Sequence, residues 1–199
     1  MTAPKNPNRP APGSRIKVDP IRSKRAISNI KKILADQPRN LCLFTLGINT
    51  AWRANELISI TVGQVKHLTP GDTLELKQSK NQRYRTTPLN ATAIQSIQAW
   101  LSHPSAPQND AQALFTGQRG PLTVETVSRL VKQWCRETGL KGNYASHSLR
   151  KTWGYWQRIG RGTSVALLMH AYGHSSEKQT LDYLGIQAEE ITAIYDMEL

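Results

Sequence analysis

Apolar residues recur at helical spacing along nearly the whole chain, and that rhythm breaks once, between residues 73 and 89. "SKRAISNIKKILAD" puts Ile27, Ile30, Ile33 and Leu34 on one face of a helix that begins near Ser23 and ends before Pro38. "PRNLCLFTLGINTA" predicts a second, more buried helix, and "ANELISI" a short third one after a turn at Trp52 and Arg53. Helical patterns return at 90–101, 123–138, 147–159 and 163–172. Ser176 followed by Gln179 is a capping-box signature for one more short helix, and "AEEITAIYDMEL" closes the chain as an amphipathic one. At the break, "TLELK" alternates, "QSKNQ" is turn-like, and "RYRTTPL" resumes an extended pattern, which together predict a β-hairpin. Such a chain folds as a mainly α domain with a small antiparallel β-hairpin or sheet.

With 199 residues the chain fits one domain of ordinary size plus a tail. Residues 1–22 are rich in Pro, Asn, Arg and Lys, and are expected to form a disordered basic arm ahead of a folded domain at 23–199. The net charge of +12 points to a polyanionic partner, and nucleic acid is the commonest of these. The arm does not account for it, because residues 26–174 alone carry +11. No apolar run is long enough to span a membrane, and no signal peptide is visible, so a cytoplasmic protein is expected. Cys42 and Cys135 sit in apolar helical patterns and read as reduced core residues. His170 and His174 are four apart, but "HAYGH" lacks a zincin glutamate and Gly173 breaks the helix between them. No metal is expected.

One stretch asks for a function. In "HSLRKTWG", a helical period of about 3.6 residues gathers His147, Arg150, Lys151, Gly154 and Arg158 on one side. Leu149, Thr152, Trp153, Trp156 and Ile159 gather on the other. The apolar side can bury, leaving an imidazole and a guanidinium facing outward together.

"GINTAWRANELISI" resembles the Gly-Leu-Arg-x-x-Glu-Leu box of the tyrosine recombinases (the phage integrase family), with Arg53 at the first catalytic arginine and Glu56 at the acidic residue after it. "LELKQSKNQRYRTTPL" resembles that family's β-hairpin, whose catalytic lysine falls on Lys80. "HSLRKT" matches its His-x-x-Arg box at His147 and Arg150. "YGHSSEKQTLDY" matches its Gly-His-Ser-Ser box at His174, with the family's tyrosine at Tyr183. The resemblance runs from about Ser23 to the C-terminus and implies the tyrosine recombinase catalytic-domain fold. Trp52 departs from it, standing where a small aliphatic residue is usual, and no separate N-terminal core-binding domain is expected here. That plan is similar to the short fimbrial phase-switch recombinases.

The resemblance implies a site-specific recombinase that cleaves and rejoins DNA through a 3′-phosphotyrosine, in integration, excision or inversion. Arg53 and Arg150 would fork onto the phosphate oxygens, where permanently charged bidentate donors suit the developing charge. Lys80 would protonate the leaving 5′-oxygen, and His147 would assist proton removal from the nucleophile Tyr183. His174 would hydrogen-bond the phosphate, and Glu56 would orient its neighbours. Tyr155, Tyr172 and Tyr195 also carry phenols, but only Tyr183 has the family spacing. Lys77, Arg83 and Arg85 around the hairpin loop, with Lys151, are the expected DNA contacts. No cofactor is required, since the covalent link keeps the bond energy. The implied partners are double-stranded DNA, further copies of this chain in a tetrameric synapse, and accessory DNA-bending proteins. A non-catalytic DNA-binding regulator would lack one of these residues, and a type IB topoisomerase-like enzyme would share the chemistry without synapsis.

Overall fold

The computed structural model describes residues 17–77, 84–185, 188–196 and 198. Ser23 caps α1 (Lys24–Ile33), its hydroxyl accepting the Ala26 amide. Pro38 opens α2 (Pro38–Asn49), at a position where its missing N–H costs nothing. Two short helices follow, α3 (Ala54–Ile58) and α4 (Val62–Val65). The hairpin then pairs β1 (Thr73–Lys77) with β2 (Tyr84–Pro88) in antiparallel register, Leu74 opposite Thr87 and Leu76 opposite Arg85. Leu74 and Leu76 turn into the core while Thr73, Glu75 and Lys77 face out, as period-two alternation requires.

Asn90 caps α5 (Ala91–Leu101), and a two-residue pair, β3 (Thr116–Gly117) with β4 (Gly120–Pro121), precedes α6 (Val124–Glu137). The chain ends in α7 (Ser146–Arg161), α8 (Val165–Tyr172), α9 (Glu177–Leu184) and α10 (Ala188–Tyr195). Gly173 takes a left-handed conformation (φ +63°) that stops α8 directly before His174. At α9 the Ser176 hydroxyl accepts the Gln179 amide, while the Gln179 side chain accepts from Ser175 N.

α2 is the central helix: Cys42, Leu43, Phe44 and Leu46 have no exposure, and α5 and α7 pack on it. Phe44 meets Trp134 of α6 edge-on, with ring centroids 5.9 Å apart. A Cβ at Gly47 would lie 2.5 Å from Leu149 Cδ1, so the absent side chain lets α7 approach α2 closely. Trp52, Trp100 and Trp134 are buried in this core, whereas Trp153 and Trp156 are only half-buried. Cys42 and Cys135 are free and buried, and burial pushes both thiols up to about 12, which leaves them inert.

Residues 17–22 do not belong to the expected disordered arm. Residues 17–22 form a strap across α7: Asp19 N donates to Asn143 O at 2.7 Å, and Ile21 N to Thr152 Oγ1 at 2.8 Å. Trp156 Nε1 donates to Ile21 O at 3.1 Å, and Ile21 itself is fully buried. A basic composition hid one apolar anchor. Ile21→Ala should therefore lower unfolding stability by about 2–5 kcal/mol, read as a shifted urea midpoint.

Candidate active site

The turn between α2 and α3 presents Ala51, Trp52 and Arg53. Glu56, one turn into α3, reaches back so that its Oε2 accepts the Arg53 amide at 2.7 Å, while Oε1 pairs with Arg53 Nη1 at 2.9 Å. The same carboxylate takes Arg85 Nη2 of β2 at 2.9 Å and lies 3.9 Å from Arg150 Nη1 of α7. One buried anion thus gathers three guanidinium groups from three separate elements. This satisfies the rule that a buried charge is tolerated only when paired and hydrogen-bonded. Arg85 also donates to Ala171 O at 2.8 Å and Ala51 O at 3.2 Å, tying the hairpin to the start of the Arg53 turn and to the end of α8. Trp52, the departure from the family pattern, donates its indole N–H to Thr87 Oγ1 of β2 at 3.0 Å, a second tie between hairpin and turn.

Arg150 does not face outward as the helical wheel of α7 suggests. It is 2% exposed, and Lys151 and Gly154 beside it are buried as well. The polar side of α7 is covered by α8 and α9, whose Leu168, Tyr172 and Leu184 form a second small core with Ala51. Gly154 permits that cover, because a Cβ there would fall 1.8 Å from the Tyr172 hydroxyl. Arg150 survives burial by donating to Ala51 O and, at 2.6 Å, to Tyr172 O, with its guanidinium 4.6 Å from the Tyr172 ring centroid. Burial lowers its pKa to about 10, so it remains a cation at neutral pH.

Tyr183, in the last turn of α9, packs edge-on to Tyr172 and His174 at 5.3 and 5.5 Å. Its hydroxyl lies 3.5 Å from His147 O, and the Lys151 ammonium sits 5.1 Å from its ring centroid. Burial pushes the phenol up to about 12, against the opposing pull of Arg150 and Arg53. His174 is stacked on Tyr172 at 5.0 Å and joined to buried Thr180 by a 3.0 Å bond between Nδ1 and Oγ1, which fixes its ring. His147 stands in the first turn of α7 at the open edge of the site. Crowding by the protein, then the charges of Arg150, Arg53 and Lys151, hold its pKa below 6.5. A neutral imidazole is thereby available at pH 7 to take a proton.

The structure brings Arg53, Glu56, His147, Arg150, His174 and Tyr183 to one place. Of the expected DNA contacts, Arg85 is paired with Glu56 inside the site, and Lys151, though buried, lines the groove beside Tyr183. Lys77 is exposed at the end of β1, and Lys80 and Arg83 lie outside the described residues. Of the other phenols, Tyr155 and Tyr172 are buried and Tyr195 is 81% exposed on α10. The charge pattern holds a further feature that residue spacing alone reveals: Arg129, Lys132 and Arg136 form an exposed basic stripe on α6, continued by Lys141.

The model of the phage integrase family matches residues 21–190. The chain belongs to the phage integrase family. It is similar to a probable integrase/recombinase, YoeC, of Bacillus subtilis (strain 168), 28% identical over 181 residues that cover 89% of this chain and 95% of that one. It is also similar to the tyrosine recombinase XerC of Chlamydia muridarum (strain MoPn / Nigg), 26% identical, covering 79% of this chain but only 50% of XerC. Among solved structures it resembles XerA recombinase (TM-score 0.72, 15% identity, 96% of this chain and 65% of that chain). XerH bound to palindromic difH in a post-cleavage complex is a second such neighbour (TM-score 0.72, 21% identity, 91% and 54%). The mainly helical fold with its small antiparallel sheet is thus that of tyrosine recombinase catalytic domains. Among the described residues, no helix is long and apolar enough to cross a membrane.

Proposed function

We propose that this integrase-family chain is a site-specific DNA recombinase that cleaves one strand through a 3′-phosphotyrosine at Tyr183. The observation that carries the reading is the convergence of Tyr183, His174 and His147 on one groove, with Arg150 and Arg53 close enough behind it to pull on the Tyr183 phenol. The Tyr183 oxygen attacks phosphorus, forming the P–O(Tyr) bond as the P–O5′ bond breaks. Its proton passes to His147, and the 5′-oxygen takes one from a general acid, the role given to Lys80. Arg53 and Arg150 meet the charge that grows on the non-bridging oxygens, and His174 adds a hydrogen bond there. The steps run in reverse when a 5′-hydroxyl attacks, so rejoining needs neither metal nor nucleotide.

Double-stranded DNA is the substrate, held by the α6 stripe and the cations of the groove. Residues 23–199 act as the catalytic domain, with the strap packed on it. Synapsis with further copies of this chain has a candidate surface in α10. There Ile191, Ile194 and Tyr195 are exposed, while Glu190 is paired with Arg158 of α7. The test is a nicked duplex that traps the cleaved strand: wild-type protein should appear as a covalent protein–DNA species on a denaturing gel, and its absence on every target tried would overturn the reading.

The acid side of the pH profile follows from His147. Below its pKa the imidazolium holds its proton and cannot accept another, so single-turnover cleavage should fall as pH drops. Because that pKa is held under 6.5, the midpoint of the fall should lie below 6.5. His147→Gln should be slower at neutral pH and should lose that limb of the profile.

A further inference from the structure

The groove that holds Tyr183 has one wall from a part of the chain that no catalytic box includes. It measures about 810 Å³ and is lined by His147, Lys151, His174 and Tyr183 on one side and by Lys17 of the strap on another. The strap is pinned where it enters. Asn143 Nδ2 donates to Lys17 O at 3.1 Å, and Asn143 N donates to Asp19 Oδ2 at 3.0 Å. Two residues later the Ile21 amide is fixed on α7 through Thr152 Oγ1, which itself bonds Ser148 O in the first turn of that helix. The Lys17 side chain is exposed, but its backbone is held at the groove by Asn143.

Three ammonium groups, Lys17, Lys151 and Lys178, share this lining with the carboxylate of Asp182. Burial, and then the charge of Lys17, lower the pKa of Lys151, with Asp19 opposing and Arg22 adding to the effect. Like charges held together on a fixed frame lose their repulsion when an anion sits between them.

We propose that Lys17 is a DNA-binding residue which, with Lys151 and Lys178, holds a backbone phosphodiester next to the one that Tyr183 attacks. The proposal rests on the reading of the groove as a DNA-cleaving site. It gives the strap a role beyond stability, as the element that closes the groove along the substrate strand. A phosphate contact carries no base information, so the effect must be the same on any sequence, and a duplex of random sequence suffices as probe.

The experiment compares Lys17→Gln, Lys17→Arg and Lys66→Gln in the full chain by fluorescence anisotropy over a range of salt. Lys66 lies outside the groove lining, in a surface pair with Asp110, and its loss controls for net charge. Lys17→Gln should weaken binding several-fold and reduce the slope of log K against log salt by about 0.9, one phosphate contact. Lys17→Arg should keep the slope, and Lys66→Gln should keep both slope and affinity. Lys66→Gln should also form the adduct at the wild-type rate, so a lost surface charge by itself does not reach the chemistry. An unchanged slope in Lys17→Gln, or the same loss in Lys66→Gln, overturns the proposal while wild-type adduct formation leaves the cleavage reading intact. Wild-type protein that neither binds DNA nor forms an adduct overturns both.

Discussion

Tyr183→Phe should bind duplex DNA as the wild type does and yield no covalent protein–DNA complex. The substitution removes one oxygen and leaves the ring, which packs against Tyr172 and His174 and carries the Lys151 ammonium on its face. The hydroxyl contributes little to the fold, since its contact with His147 O is a long one at 3.5 Å and Arg150, which also bonds it, keeps Ala51 O and Tyr172 O as acceptors. Stability and affinity should therefore survive, and only the nucleophile is lost. Among the described residues no other phenol lines the groove. Tyr172 is fully buried with its hydroxyl donating to Arg150 O at 3.0 Å, and Tyr155 is buried too. A phenol near pKa 12 also explains why the partners matter: at pH 7 almost none of it ionises unaided. The nicked-duplex assay on a denaturing gel reads the result directly. An adduct persisting in the Phe variant would remove Tyr183 from the mechanism.

The helices were legible because amphipathic spacing marks them, and at Ser176 the cap agrees with it. The hairpin was legible because Leu74 and Leu76 alternate with polar neighbours. What escaped was either too short or too distant in sequence. α4 spans one turn and the β3–β4 pair two residues each, less than a period needs to show itself. Arg85 reads as one more basic residue near a loop, and its true partner, Glu56, lies 29 positions away. Burial of Arg150 was hidden for a different reason. A helical wheel divides α7 into two faces but cannot say that a later segment covers the polar one. A signal for that cover existed in Gly154, a glycine inside a helical pattern, which marks a close approach as well as a weak point.

Removing a clamp donor should produce the other large effect. Arg150→Ala should slow cleavage on the order of 100- to 1,000-fold, the usual cost of losing one preorganised donor to a developing oxyanion. In this protein it should also cost stability, because Tyr172 O loses its donor in a buried setting and Ala51 O is left with Arg85 alone, at about 1–3 kcal/mol. Rate and stability losses are thus mixed in that variant, and Arg53→Lys separates them. Arg53 is partly exposed, its charge is kept by lysine, and the Arg53 amide still caps onto Glu56 Oε2. Arg85 and Arg150 remain beside the same carboxylate, so no buried anion is left unpaired. The fold and the affinity for DNA should be close to wild type. A point charge nevertheless cannot reproduce a planar fork on two oxygens, so the cleavage rate should still drop by about 100-fold or more. Single-turnover rates on the nicked duplex, beside urea midpoints for both variants, make the comparison. Near-normal cleavage by Arg53→Lys would mean that Arg53 acts through its charge alone and that the bidentate contact belongs to Arg150.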